Sequence, residues 1–216
     1  MARTYRSEVR EARTAQMREL LLQTTHAILA AGGLDALTLP KLAAEAEVSV
    51  PTVYRHFATL DDLLRAFLAW LRPRVGMTHE AMTQLTPDTI AALPEENFPR
   101  FEENKDVLEP LMDSRSWNQV RTSSMSGRAQ LGASLLRPAA PEWSQADLEA
   151  AAGAIMLLST PVAWRWLRDT WGLDSAEAAR GAAWAMRTLI AALGSSPGIE
   201  PVKPPKPPKS TTKKRK

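Results

Sequence analysis

The sequence predicts an all-α chain, and three observations carry that prediction. Alanine, leucine, glutamate and arginine fill long stretches, and these residues lose little side-chain freedom in a helix. Glycine and proline do not recur at the spacing that separates strands. Apolar positions repeat instead every three to four residues over most of the chain. With 216 residues, 44% of them hydrophobic, the chain can bury a sizeable core.

A first helix is expected from about Thr14 to Ala31, with Met17, Leu20, Leu21, Thr24, Ala27, Ile28 and Ala31 on one face. Gly32-Gly33 ends it, because glycine accepts the left-handed conformation that a helix C-terminus needs. Thr38 is an N-cap for a second helix that buries Leu39, Leu42, Ala43 and Ala46, with Pro40 tolerated in the first turn. Ser49 caps a short third helix whose inner face reads Val50, Val53, Tyr54 and Phe57. Thr59 opens a fourth, and Asp62 three residues later completes a capping box. Leu63, Leu64, Phe67, Leu68 and Leu71 carry it to Arg72-Pro73.

From Val75 to Pro99 the pattern weakens, with Pro87, Pro94 and Pro99 expected to break it. Helical periodicity returns from Phe98 to Leu136, with an interruption near Asp113-Ser114, and a proline-containing loop spans Arg137–Pro141. Two long helices follow, at about 145–170 and 175–193. Pro161 should kink the first of them, with Ser159 and Thr160 placed to satisfy the carbonyls so freed. The domain reading is an N-terminal arm (1–13), a three-helix unit (14–59), a larger helical domain (60–196) and an extended tail (197–216).

The net charge of +3 belongs to the tail: of 27 basic and 24 acidic residues, seven and one lie from Pro197 onward, which leaves 20 and 23 before it. Any nucleic-acid contact must therefore rest on particular residues and not on bulk charge. No apolar run approaches the ~20 residues that a membrane span requires, and no apolar segment follows the basic opening as in a secretory signal. With no cysteine there are no disulfides, thiolate nucleophiles or cysteine metal sites. The expected location is the cytoplasm. His26, His56 and His79 lack metal-ligand spacing, and no HExxH, GxSxG or phosphate-cradling glycine loop is present, so no enzyme activity, metal or cofactor is expected.

The informative stretch is Leu39 to Phe57. Two short amphipathic helices flank a tight turn, Glu47-Val48-Ser49, whose one apolar residue can plug the corner. The outward positions of the third helix are Pro51, Thr52, Arg55 and His56, short or hydrogen-bonding groups suited to a major groove ~12 Å wide. Thr38 and Ser49 lie at helix N-termini, where free backbone N–H groups favour phosphate.

The run Leu37–Phe57, with its T-x-x-x-L-A…V-S-x-x-T-x-Y-x-x-F pattern, resembles the helix-turn-helix DNA-binding domain of TetR-family transcriptional regulators; the likeness spans about Met17 to Leu71. It implies a bacterial, cytoplasmic repressor that binds a palindromic operator in double-stranded DNA as a homodimer and responds to a small-molecule effector. The implied DNA-binding residues are Thr38, Lys41, Ser49, Val50, Pro51, Thr52, Tyr54, Arg55 and His56, with the Tyr54 hydroxyl reaching phosphate. Two positions depart from the family pattern: Glu47 stands where glycine is usual in the turn, and Leu60 where many members carry a phosphate-binding lysine. The resemblance also implies a dimer interface made by the last two long helices.

All seven tryptophans lie outside the reading unit. Such an aromatic-rich helical domain suits a largely apolar cavity, with Phe101, Leu108, Met112, Trp117, Met125, Trp164 and Leu167 as candidate lining and Arg121 or Arg128 as a candidate anchor for an anionic group. Glu47, Leu60 and the slightly acidic body leave an alternative open: a helical ligand-binding or interaction protein of the same fold that has lost operator binding.

Overall fold

The computed structural model describes residues 2–76, 84–115, 117–119 and 125–199, and every regular element among them is a helix. Helix α1 spans Ala2–Gly32. The helix therefore runs through residues 2–13, which were expected as an arm ahead of it. Gly33 follows at φ 65 and ψ −164, a positive-φ conformation open to glycine but not the left-handed helical one expected there. A 3-10 turn, Leu34–Ala36, leads to α2 (Leu39–Glu45), α3 (Val50–His56) and α4 (Leu60–Leu71).

The buried stripe of α1 is Leu21, Leu22, Thr25, Ile28 and Leu29, whereas Leu20, Ala27 and Ala31 are exposed, contrary to the sequence expectation. The stripe turns because α1 packs against α2 and α4 on one side and against α7 (Lys105–Met112) on another. Single-chain periodicity cannot see that second neighbour. Thr25, the polar member of the stripe, donates its hydroxyl to the Leu21 carbonyl at 2.8 Å.

The second half contains α5 (Pro87–Ile90), α6 (Leu93–Glu103), α7, α8 (Met125–Leu136), α9 (Gln145–Leu157), α10 (Pro161–Trp171) and α11 (Ser175–Leu193). The prolines expected to break the region before Pro99 act differently. Pro87 and Pro94 occupy first turns, where a missing N–H costs nothing, and Pro99 lies inside α6. Pro161 does more than kink a long helix: α9 stops at Leu157, α10 starts at Pro161, and the two axes differ by 56°. At that corner Ser159 donates to the Met156 carbonyl at 2.9 Å and Thr160 to that of Leu157 at 2.7 Å. Thr160 also accepts from the Ala163 N–H, so one hydroxyl closes one helix and opens the next.

The larger hydrophobic cluster is continuous from Leu21 through Phe67 and Phe101 to Trp164 and Ala182. A second gathers Ile90, Leu136, Trp143, Leu148, Ile155, Met186 and Leu193. Among the described residues, the larger cluster joins the first four helices to the later ones. Arg168 of α10 adds a polar seam: it lies 4.6 Å over the Trp164 ring and pairs with Glu109, Glu102 and Asp169. Among the described residues, no single helix is long and apolar enough to cross a membrane.

Candidate nucleic-acid interface

Each helix of the α2–turn–α3 unit is started by a hydroxyl cap. Thr38 Oγ1 accepts from the Lys41 N–H at 3.2 Å, and Ser49 Oγ accepts from the Thr52 N–H at 3.3 Å. The Ser49 and Thr52 hydroxyls also bond to each other at 2.8 Å. Between the helices, Glu47 adopts φ 53, the left-handed conformation in which a Cβ is unfavourable. That turn lets the Val48 N–H reach the Ala43 carbonyl at 2.9 Å, while the half-buried Val48 side chain packs against the core as the expected plug.

Burial on α2 matches the sequence pattern: Leu39, Leu42, Ala43 and Ala46 are inside. On α3 it does not entirely. Val53 and Phe57 are buried, but Val50 is 38% and Tyr54 50% exposed. The inner face is narrower than the sequence pattern indicated, because only one residue per turn meets the core. Val50 projects beyond the helix–helix contact in the first turn, and Tyr54 is rotated one position off the Val53–Phe57 row. The result is an outer surface of exposed Val50, Pro51, Tyr54 and Arg55 with half-buried Thr52 and His56 among them, and Thr38, Lys41 and Ser49 exposed beside it. Leu60 is half-buried against the core at the start of α4.

Sequence reasoning passed over Arg18. Its guanidinium lies 4.7 Å from the Phe57 ring centroid, which brings a cation from α1 to the C-terminal end of α3. The only hint in the sequence is its place beside Met17 at the edge of the buried stripe. Partial burial, with the charges of Arg55 and Arg18, holds the His56 imidazole below its ordinary pKa. Arg18, Lys41, Arg55 and His56 thus put positive and hydrogen-bonding groups around one short helix whose opposite side is apolar. That arrangement can meet phosphate and base edges together.

The candidate effector residues are scattered in role. Phe101, Leu108 and Trp164 are fully buried, Met112 nearly so, and Trp117 and Leu167 are half-buried against the same cluster. Phe101 and Trp164 meet edge-on with centroids 6.0 Å apart. Arg121 and the side chains of Met125 and Arg128 lie outside the described residues, as do His79 and residues 200–216 of the tail. Buried Trp164 Nε1 and Asn97 Oδ1 have no hydrogen-bond partner among the described residues. An open apolar groove of about 340 Å3 lies elsewhere, between α9 and α11, lined by Trp143, Ala150, Ile155, Leu189, Leu193 and Ile199 among others. Among the described residues, no group of three or more His, Asp or Glu side chains is placed to hold a metal.

Two short helices joined by a tight turn, the second capped by Ser49 and outward-facing through Thr52, Arg55 and His56, define a helix-turn-helix DNA-binding protein. Residues 21–67 match the family model described as bacterial regulatory proteins, tetR family. This part of the chain is a DNA-binding domain of that family, and the protein is a transcriptional regulator that binds DNA through it. Comparison with curated proteins returned no match.

Proposed function

We propose that the protein is a repressor that binds a palindromic operator as a homodimer in the cytoplasm and is released by a small, largely apolar molecule. The observation that carries this reading is α3 itself: Val53 and Phe57 anchor it from one side while Thr52, Arg55 and His56 remain available on the other. In this reading Arg55 bonds a guanine edge or phosphate, Tyr54 reaches phosphate with its hydroxyl, and the caps Thr38 and Ser49 bring backbone N–H groups to the DNA strand.

Pairing is supported by what a single chain leaves uncovered. Trp184 is 66% and Leu157 52% exposed on the helices that also bear Ala150, Ala154, Leu189 and the apolar groove. A second copy covering α9 and α11 would bury these and set two readers on half-sites ~34–36 Å apart. The effector reading is supported by Trp164 Nε1 and Asn97 Oδ1, buried polar atoms with no hydrogen-bond partner among the described residues. A ligand with matching polar groups would gain from both. Because coupling is reciprocal, operator would weaken effector binding by the factor by which effector weakens operator binding.

The test is selection of a preferred duplex from random DNA by the full chain, followed by gel shift with wild type and Arg55→Ala. A two-fold symmetric sequence, bound by wild type and released by the variant at unchanged thermal midpoint, is the expected result. Equal binding by the variant removes Arg55 from the reader, and a protein that selects nothing is a helical binding protein without an operator. Trp184→Glu should leave a monomer in sedimentation; an unaltered dimer would place the interface elsewhere.

A further inference from the structure

Helix α4 ends at Leu71, and the turn after it is set into the body of the protein: Val75 is fully buried. Gly76 follows at φ 79 with its backbone pressed on α6, where a Cβ would fall 2.0 Å from Asn97 Oδ1 and 2.5 Å from Arg100 Nη1. Beside this fixed end, one carboxylate of α1 gathers three donors. Glu19 Oε2 accepts from Trp70 Nε1 at 2.8 Å, and Glu19 Oε1 accepts from Arg74 Nη2 at 3.3 Å and from Gln23 Nε2 at 3.0 Å. The Arg74 guanidinium lies 3.5 Å from the Trp70 ring centroid and donates from Nη1 to the Trp70 carbonyl at 2.8 Å. Phe67 stacks on the same ring with centroids 5.4 Å apart, and His26 of α1 meets it edge-on at 6.1 Å. Trp70 and Arg74 therefore reach Glu19 already oriented, with little side-chain freedom left to lose.

Helix α1 touches the body again at its other end, where a Cβ on Gly33 would stand 3.9 Å from Pro110 of α7. Glu19 and Gly33 are about 21 Å apart along a helix at 1.5 Å per residue. Between them α1 buries Leu21, Leu22, Ile28 and Leu29. Apolar contact carries little directional preference, whereas the hydrogen bonds of Glu19 require a particular geometry and so set the tilt of α1 at that end. The tilt reaches α3 directly. Arg18, next to Glu19, lies 4.7 Å from the ring of Phe57, the residue that closes α3. Arg18 and Glu19 thus join the ends of α3 and α4 through α1.

We propose that Glu19, Trp70 and Arg74 are positioning residues for DNA reading: they latch α1 to the end of α4 and so hold α3 at a set distance and angle from the body. None of the three touches DNA in this role. The inference rests on the reading of the protein as a dimer on paired half-sites, in which the placement of each reader on its own body decides which half-site spacing fits both. A loosened latch leaves each reader able to bind but lets the pair accept other spacings.

The experiment uses the full chain with the symmetric duplex it selects from random DNA, the same duplex with one base pair added or removed between the half-sites, and a single half-site. Wild type should bind the selected spacing best. In Glu19→Ala and in Arg74→Ala the preference for that spacing should fall by about three- to fivefold, the range that an exposed ion pair of good geometry can supply. Glu19→Gln, which keeps an acceptor for Trp70, should lose less. Glu19→Ala/Arg74→Ala should lose no more than either single variant, because the same latch is removed only once. The two single variants change net charge in opposite directions, so altered phosphate attraction would move their half-site affinities oppositely, whereas loss of the latch moves their spacing preference alike. A chain that is merely destabilised keeps the wild-type preference in its folded fraction. Arg74 is exposed, so Arg74→Ala carries the test if Glu19→Ala does not fold. Folded variants with the wild-type preference overturn the proposal, as do single variants that shift it in opposite directions. A wild type indifferent to spacing defeats the paired-operator reading together with this role, whereas a sharp preference retained by the variants defeats the latch alone.

Discussion

Replacing Glu47 by glycine isolates the backbone cost of the turn between α2 and α3. Glu47 is exposed and sits at φ 53, while the Glu47 and Val48 N–H groups bond the Ala44 and Ala43 carbonyls and hold that conformation. A Cβ in the left-handed region costs about 1–2 kcal/mol. Glycine removes that cost but gives the unfolded chain extra freedom worth roughly 0.4–1 kcal/mol. The balance is a net stabilisation of about 0.8 kcal/mol, which for a chain of this length raises the thermal midpoint by roughly 2–3 °C. The assay is a reversible thermal melt of wild type, Glu47→Gly and Glu47→Ala at one protein concentration. Alanine keeps the Cβ and should show no comparable gain. If alanine stabilises as much as glycine, the gain comes from loss of the carboxylate and the strain argument is wrong. A lower midpoint for glycine would refute it outright.

Other expectations follow from the same geometry. Thr59→Ala removes the Thr59–Asp62 capping box of α4 and should cost about 1 kcal/mol, measured as a shift of the denaturation midpoint at constant slope. Hydrogen bonds from Thr59 and Arg65 hold the Asp62 carboxyl below the usual carboxylate range. Its stabilisation is complete above that range and is lost as pH falls through the lowered value, so Asp62→Asn should flatten the acid limb of a stability–pH curve. His56 is likewise held low, by burial first and then by Arg55 and Arg18. Its contribution to stability is present above the ordinary imidazole range and declines as pH falls. DNA phosphate nearby would restore the proton, so operator affinity should rise from about pH 8 to about pH 6 in wild type and not in His56→Gln. Arg168→Met keeps an apolar stem over Trp164 and leaves Glu102 paired with Lys105 but takes the Arg168 partner from Glu109; a loss of about 1 kcal/mol is expected for this partly exposed pair, and full stability would show the seam to be dispensable.

Much of the DNA-reading unit was legible because its determinants are local. Thr38, Ser49 and Thr59 cap the helices they were expected to cap, and the apolar rows of α2 and α4 are buried as their spacing indicates. The left-handed turn at Glu47 was legible only through the family resemblance, which puts glycine at that position. Arg18 was not legible: its meeting with Phe57 joins residues 39 apart in sequence, and no periodicity encodes that distance. The second half was read less well for the same reason. A proline in a first turn and a proline within a helix look alike in sequence, and only neighbouring helices decide which occurs at Pro94 and Pro99.

The sequence by itself determined where helices stop and start between Gly32 and Leu71, because caps, glycines and short-range rows act within one or two turns, but not where α1 begins. The tertiary structure decided which side of each helix is inside. It turned the stripe of α1 toward α7, exposed Val50 and Tyr54, and broke the α9–α10 corner at Pro161. Burial depends on partners brought together from distant parts of the chain, and those partners exist only once the helices have packed.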